Sequence, residues 1–226
     1  MDDVVAFVAA GLSERADPEK APRMAAYMKT DMPFYGVQKQ GRTEVLRGLK
    51  TRFPVEDNET YRAMITALWK RPHREEKYLA VSIAETYRRF VTSDNVDLYR
   101  SLIVEGAWWD FVDDIAANCV GTVHLKERDT MAPIIESWID DDLMWLRRTA
   151  LLSPLKHKAD TDHLTLFDHC LRRAHETEFF IRKAIGWTLR EYAKTKPQLV
   201  REFLLEHRDR WSGLTFREAS KHLDIS

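Results

Sequence analysis

The sequence predicts an all-α fold built from stacked helix pairs, and three observations carry that prediction. Glycine and proline together make 16 of the 226 residues, about 7% where average usage gives about 12%, so turn-rich β architectures are disfavoured. An aromatic followed by an aliphatic recurs as Tyr78-Leu79, Phe111-Val112, Trp145-Leu146 and Phe180-Ile181, at separations of 33, 34 and 35 residues. Five positions after each aromatic stands a small or aliphatic residue, Ile83, Ala116, Ala150 and Ile185, on the next helical turn, where it lets a neighbouring helix pack closely.

In chain order, residues 21–47 are the least regular, and residues 31–36 interrupt two helical patterns as a loop would. From Tyr78 onward each repeat supplies one inward-facing helix, and amphipathic stretches at 96–104, 131–139 and 164–174 supply the second helix of each pair. Boundaries are expected at Arg71-Pro72, Ser93-Asp94-Asn95, Asp140-Asp141-Asp142 and Thr195-Lys196-Pro197, which carry turn formers or helix caps. Pro154 should end or kink the third repeat helix near Ser153. A period of this length reads as an α-solenoid of HEAT-like helical repeats with a concave face. No long Gly/Ser linker interrupts it, so a single domain over residues 1–226 is expected.

The formal net charge of −1 does not by itself favour nucleic acid, but its distribution is uneven. Residues 143–201 hold 12 Lys/Arg against six Asp/Glu, a net of +6, which marks a candidate anion-binding face or the solvated outer surface of helices. No stretch reaches the roughly 18 apolar residues of a membrane span, and Met1-Asp2-Asp3-Val4 does not open a signal peptide, so a cytoplasmic protein with no membrane partner is expected. Cys119 and Cys170 lie in no CxxC or Cys/His cluster, which supports neither structural zinc nor a disulfide. Nucleotide-binding glycine loops, HExxH and GxSxG are all absent from the sequence. His157, His163, His169 and His175 recur every six residues, a spacing that keeps no helical face, and they are expected at the surface or in caps.

Two helices carry residues suited to chemistry. In the second repeat, Trp108, Val112, Ile115, Ala116 and Cys119 form the expected buried stripe, and Trp109 and Asp113, four apart, share its flank. A carboxylate beside an indole face suits a developing cation; the same spacing suits a core tryptophan next to a surface acid. In the fourth repeat, Lys183, Trp187, Arg190 and Lys194 share the face opposite the core stripe. That arrangement matches a stacking platform ringed by phosphate-binding cations, or a half-buried tryptophan crossed by aliphatic stems. Arg148 and Lys156 add cations in the third repeat.

These residues also carry a family resemblance. Ala107-Trp108-Trp109-Asp110-Phe111-Val112-Asp113, Trp145-Leu146-Arg147-Arg148 and the run from Phe179 to Lys194 resemble the AlkD family of DNA alkylation-repair glycosylases. Tyr27-Met28-Lys29 and Phe34-Tyr35-Gly36 fit as well, and the likeness spans about residues 21–223. The resemblance implies a HEAT-like fold, hydrolysis of the glycosidic bond of cationic N3- and N7-alkylated purines in duplex DNA, and no metal or organic cofactor. It places the catalytic acid on Asp113, the sugar- and lesion-facing tryptophans on Trp109 and Trp187, and the family arginine, expected to hold a phosphate, on Arg148. Tyr27, Lys156 and Arg190 match backbone-contacting positions, with Lys183 and Lys194 beside them. The sequence departs from the family pattern at Gln40, which stands where proline is usual. A monomer is expected, since one face must accept a duplex. A noncatalytic HEAT-like module that binds DNA or a protein through the same face is the alternative.

Overall fold

The structure is a computed structural model and describes residues 1–225. Among these residues every regular element is helical and none is a strand. They form two compact units, Met1–Val91 and a second that begins at Thr92.

The first unit contains α1 (Asp2–Ser13), α2 (Lys20–Met28), α3 (Lys39–Arg52), α4 (Asn58–Trp69) and α5 (Arg74–Thr86). Apolar residues at helical spacing bury one stripe of each main helix: Val4, Val8 and Leu12 on α1, Val45 and Leu49 on α3, Tyr61, Ile65 and Leu68 on α4, and Leu79 and Ile83 on α5. The Tyr61 hydroxyl donates to the Ala84 carbonyl at 2.7 Å, satisfying a phenol that packing takes out of water. The irregular segment at 31–36 is a loop, as expected. It is held by a residue with no obvious sequence signal: Glu75, fully buried in the first turn of α5, accepts the backbone N–H of Tyr35 at 3.1 Å, Gly36 at 2.8 Å and Val37 at 3.0 Å. Gly36 is required in this loop because its φ is +86° and a Cβ would lie 2.1 Å from the Asp17 carbonyl oxygen.

The second unit contains α6 (Val96–Gly106), α7 (Trp109–Ile115), a π-helical turn at Ala116–Val120, α8 (Gly121–Lys126), α9 (Arg128–Ile139), α10 (Met144–Leu152), α11 (His163–Arg173), α12 (Phe179–Ala193), α13 (Pro197–Glu206) and α14 (Gly213–Ala219). The 33–35-residue period survives as packing: α10 lies against both α7 and α12, and α12 against α14. Ala116 and Ala150 are buried at the α7–α10 end of this stack, and Ile185 at the next helix. The expected boundaries fall between helices, with Pro197 as the first residue of α13 and Asp162 capping α11 through the N–H of Leu164 and Thr165. Pro154 acts as its backbone chemistry requires: α10 stops at Leu152 and a 3₁₀ turn, Ser153–Lys156, replaces it.

Two sequence expectations need correction. Trp108 is not in the buried stripe; it precedes α7 as its N-cap and stays partly exposed, because the helix begins one residue later than the repeat pattern suggests. His157 and His169, expected at the surface or in caps, are each only 4% exposed. They are buried because each finds a polar partner, the Gly121 carbonyl for His157 and Glu136 for His169. Cys119 and Cys170 are buried free thiols as expected, and burial alone pushes the Cys170 thiol far up, which leaves it inert.

The crossing of α8 with the turn after α10 is unusually close. A Cβ on Gly121 would sit 2.3 Å from the Ser153 carbonyl oxygen. Gly121→Ala is therefore expected to destabilise the fold by about 1–3 kcal/mol, because two backbone segments must separate; the denaturant midpoint of the variant measures it. Glu75→Ala leaves three backbone donors without their acceptor and is expected to cost about 3 kcal/mol or more, read as a lower thermal midpoint and as faster proteolysis in the 31–36 loop.

Candidate active site

Asp113 lies on the second turn of α7, four residues after Trp109, the first residue of that helix. From α10, Arg148 reaches it with a two-pronged contact: Nε donates to Oδ1 at 2.7 Å and Nη2 to Oδ2 at 2.8 Å. The third arm of the same guanidinium, Nη1, donates to the Phe180 carbonyl at the start of α12. The planar fork of arginine matches a carboxylate edge to edge, which neither lysine nor a single hydrogen bond reproduces. Three helices separated in sequence by one repeat each are thereby joined at one cation.

Aromatic side chains back this cation. Trp108, Trp145 and Phe180 form a mutually contacting triad with ring centroids 5.0–6.0 Å apart, and the Arg148 guanidinium stands 5.7 Å over the Phe180 ring. The side chain of Arg148 keeps 5% of its exposure, whereas that of Asp113 keeps 16%, so the aspartate is the more accessible member of the pair. Burial raises the Asp113 carboxyl above its ordinary range; the hydrogen bonds and charge of Arg148 pull the other way, and Asp110 adds a smaller upward push.

Beside this pair lies a second, parallel one. Arg147 grips Glu176 with Nε and Nη2, both at 2.9 Å, and its Nη1 donates to the carbonyls of Asp141 and Asp142 at 2.8 Å. It anchors the N-terminal end of α10 to the segment before α12. Arg148 thus works from a helix end fixed on both sides.

The remaining sequence candidates fall as follows. Trp187 is half-buried on α12. The cations expected around it are largely neutralised: Glu218 of α14 receives Lys183 at 2.9 Å and Arg190 at 2.5 Å, and Lys194 pairs with Glu191 at 2.7 Å. Lys183 holds the Glu218 carboxyl below its usual range. Lys156 is exposed after α10, and its Nζ donates to Asn118 Oδ1 on the π-helical turn. Tyr27 is 72% exposed on α2 of the first unit. Arg148, expected to grip a phosphate, commits its fork to Asp113 and Phe180.

Sequence reasoning missed Glu218, Asn118, Glu176 and the Phe180 carbonyl. One signal was available for the first. Asp113 and Arg148 are 35 residues apart, and so are Lys183 and Glu218, so opposite charges one repeat apart mark adjacent helices. The carbonyl leaves no such mark.

The family model described as "DNA alkylation repair enzyme" matches residues 8–223. A predicted DNA alkylation repair enzyme from Enterococcus faecalis has a similar structure, with a TM-score of 0.85 and 30% identity over 94% of this chain and 98% of that one. AlkD2 from Streptococcus mutans superposes with a TM-score of 0.63 at 17% identity, covering 90% of this chain and 99% of its own, and smu.31 from Streptococcus mutans UA159 with 0.60 at 16%, covering 82% and 99%; both share the fold. No curated protein matches the chain. A match over nearly the whole chain, joined to a 30% identical structure of the same length, places this protein in the DNA alkylation repair enzyme family.

Proposed function

We propose that the protein is a DNA glycosylase that hydrolyses the N-glycosidic bond of cationic N3- and N7-alkylated purines in duplex DNA. The observation that carries this reading is the Asp113 side chain, partly exposed and held at both carboxylate oxygens by a more deeply buried arginine. Family membership supports it.

An alkyl group on N3 or N7 makes the purine cationic, so the base leaves neutral with the bonding electron pair and needs no general acid. The residual demand is for negative charge near the oxocarbenium-like sugar. A carboxylate about 4 Å from that charge contributes roughly 4 kcal/mol at an effective dielectric near 20. The Arg148 cation, about twice as far away, takes back roughly 2 kcal/mol by the same relation, leaving a gain of about thirtyfold in rate. Arg148 offsets this loss by orientation: a carboxylate clamped at both oxygens points where it is needed without reorganising. Water then bonds to the sugar C1′, and its proton passes to Asp113 or to bulk water. Trp109, on the same helix as Asp113, and Trp187 supply π faces toward the cationic sugar and lesion. Tyr27, Lys156, Arg190, Lys183 and Lys194 contact the DNA backbone, with Arg190, Lys183 and Lys194 exchanging their carboxylate partners for phosphates.

A second reading has one observation in its favour: both oxygens of Asp113 are taken by Arg148, as in a structural ion pair of a noncatalytic DNA- or protein-binding module. Asp113→Asn separates the two. As a glycosylase, the variant loses about a thousandfold in release of N7-methylguanine and N3-methyladenine from duplex DNA, because the carboxylate's roughly 4 kcal/mol goes while Arg148 stays, and it still melts cooperatively and retards DNA in a gel. Equal release by both proteins, or none by either, sustains the binding module instead.

The pH profile tests the same group. The working form is the carboxylate, so activity is full above the raised pKa of Asp113 and falls as pH drops through it. The acid limb is expected at a higher pH than the value of about 4 of an ordinary aspartate. Enzyme-dependent base release, followed from about pH 8 downward, measures it; a profile flat to the ordinary aspartate range excludes Asp113 as the titrating group.

A further inference from the structure

A pocket opens in the second unit, at the other end of the helices that carry Asp113 and Arg148. Its volume is about 370 Å³, and its floor is formed by His124, His157 and Ser153, with Ile135, Ala150 and Leu166 as apolar walls. His124 lies eleven residues beyond Asp113 on one uninterrupted helical run, about 16 Å away at 1.5 Å per residue. The pocket is therefore separate from the site above, and the proposed glycosylase chemistry does not use it.

The hydrogen bonds of the floor decide what it can recognise. His157 Nε2 lies 2.8 Å from the Gly121 carbonyl oxygen, which only accepts, so Nε2 carries the proton and Nδ1 keeps a lone pair. Ser153 Oγ donates to the Ala150 carbonyl at 3.1 Å. His124 Nδ1, 3.1 Å from Ser153 Oγ, then donates to it, and His124 Nε2 keeps its lone pair. Among the described residues neither acceptor nitrogen has a hydrogen-bond partner. The two rings meet edge to face at 5.2 Å. Both stay uncharged at neutral pH: burial, with a further push from His157, takes His124 down to about 4, and burial likewise lowers His157. The polar groups at the mouth are already engaged, Glu136 by His169 and Arg172, and Asp162 by the first turn of α11. Arg128, exposed at the same mouth, donates to the Asp160 carbonyl and sets a positive charge that disfavours a cationic ligand.

We propose that this pocket binds an uncharged aromatic heterocycle bearing N–H donors, of the aminopurine class. Its amino and ring N–H groups would donate to His124 Nε2 and His157 Nδ1, and its ring would lie against the apolar walls. Among the described residues no group of three or more His, Cys, Asp and Glu has the geometry of a metal site. The volume accommodates a free base with room to spare. Occupancy would also brace the close crossing of α8 and the turn after α10, because both floor histidines bridge that crossing.

The test is a titration of the full-length protein with adenine, read by calorimetry and by the ring-proton resonances of its histidines. Saturable binding is expected, with shifts in His124 and His157 and none in His175 or His222. N6,N6-dimethyladenine, which keeps the ring but loses the exocyclic donors, is expected to bind about tenfold more weakly, the equivalent of about one hydrogen bond. Ala132→Trp places an indole at the mouth from an exposed position and is expected to weaken adenine at least about tenfold, while Asp113→Asn leaves it unchanged. Absence of saturation with adenine overturns the proposal, as does equal affinity for the dimethyl compound or shifts confined to other histidines. The ligand comparison is made in the unaltered protein and does not depend on either variant folding. Loss of adenine binding in Asp113→Asn would assign the ligand to the Asp113 site and also overturn the proposal.

Discussion

A guanidinium that cannot be left unpaired governs the second unit of this protein. Taking a charge out of water costs several kcal/mol unless partners replace the lost hydration. Arg148 finds those partners on two other helices, the Asp113 carboxylate on α7 and the Phe180 carbonyl on α12. The register of all three helices is thereby tied to one side chain. Sliding α7 or α12 by a turn would bury an unsatisfied cation, so the fold and the geometry of the carboxylate are set by the same contact. A hydrophobic isostere could pack there as well or better; what it could not do is hold a carboxylate at both oxygens.

Close helix packing makes that contact reachable. Ala116 and Ala150 are buried where α7 and α10 stack, and Gly121 lets the backbone of α8 meet that of Ser153. Between Asp113 and Gly121 the helix takes one wide π turn, a local rearrangement that recurs at functional positions. Here it carries Asn118, which holds Lys156. The same run of chain therefore presents a carboxylate at one end, an asparagine that holds a lysine from the turn after α10 in the middle, and a neutral imidazole at the other end.

Charge in this region is more internal than its formal count suggests. The net of +6 over residues 143–201 includes Arg147 gripping Glu176, Arg172 bridging Glu136 and Asp140, and Lys183 and Arg190 sharing Glu218. Each such pair lowers the potential a phosphate would feel. It also sets a cost on binding, since a lysine or arginine must leave a carboxylate before it can hold the backbone. Phosphate affinity on such a surface is expected to be modest and strongly salt-dependent.

Much of this was readable from the chain alone. The repeat of aromatic-aliphatic pairs located the inward helices because burial of one stripe imposes a helical period on composition, and Leu79, Val112, Leu146 and Ile181 are all in the core. Pro154 and Pro197 marked helix limits through backbone chemistry that no packing alters. The candidate residues Trp109, Asp113 and Arg148 were legible as residue types with a family resemblance, but not as a geometry. That Arg148 points inward at Asp113 instead of outward, that Glu218 neutralises the cations near Trp187, and that His157 and His169 are buried depended on partners 28 to 36 residues away. Local periodicity records which face of a helix is apolar, because that is a property of neighbouring residues. Which charge meets which is a property of how helices one repeat apart align, and only the tertiary structure decided it.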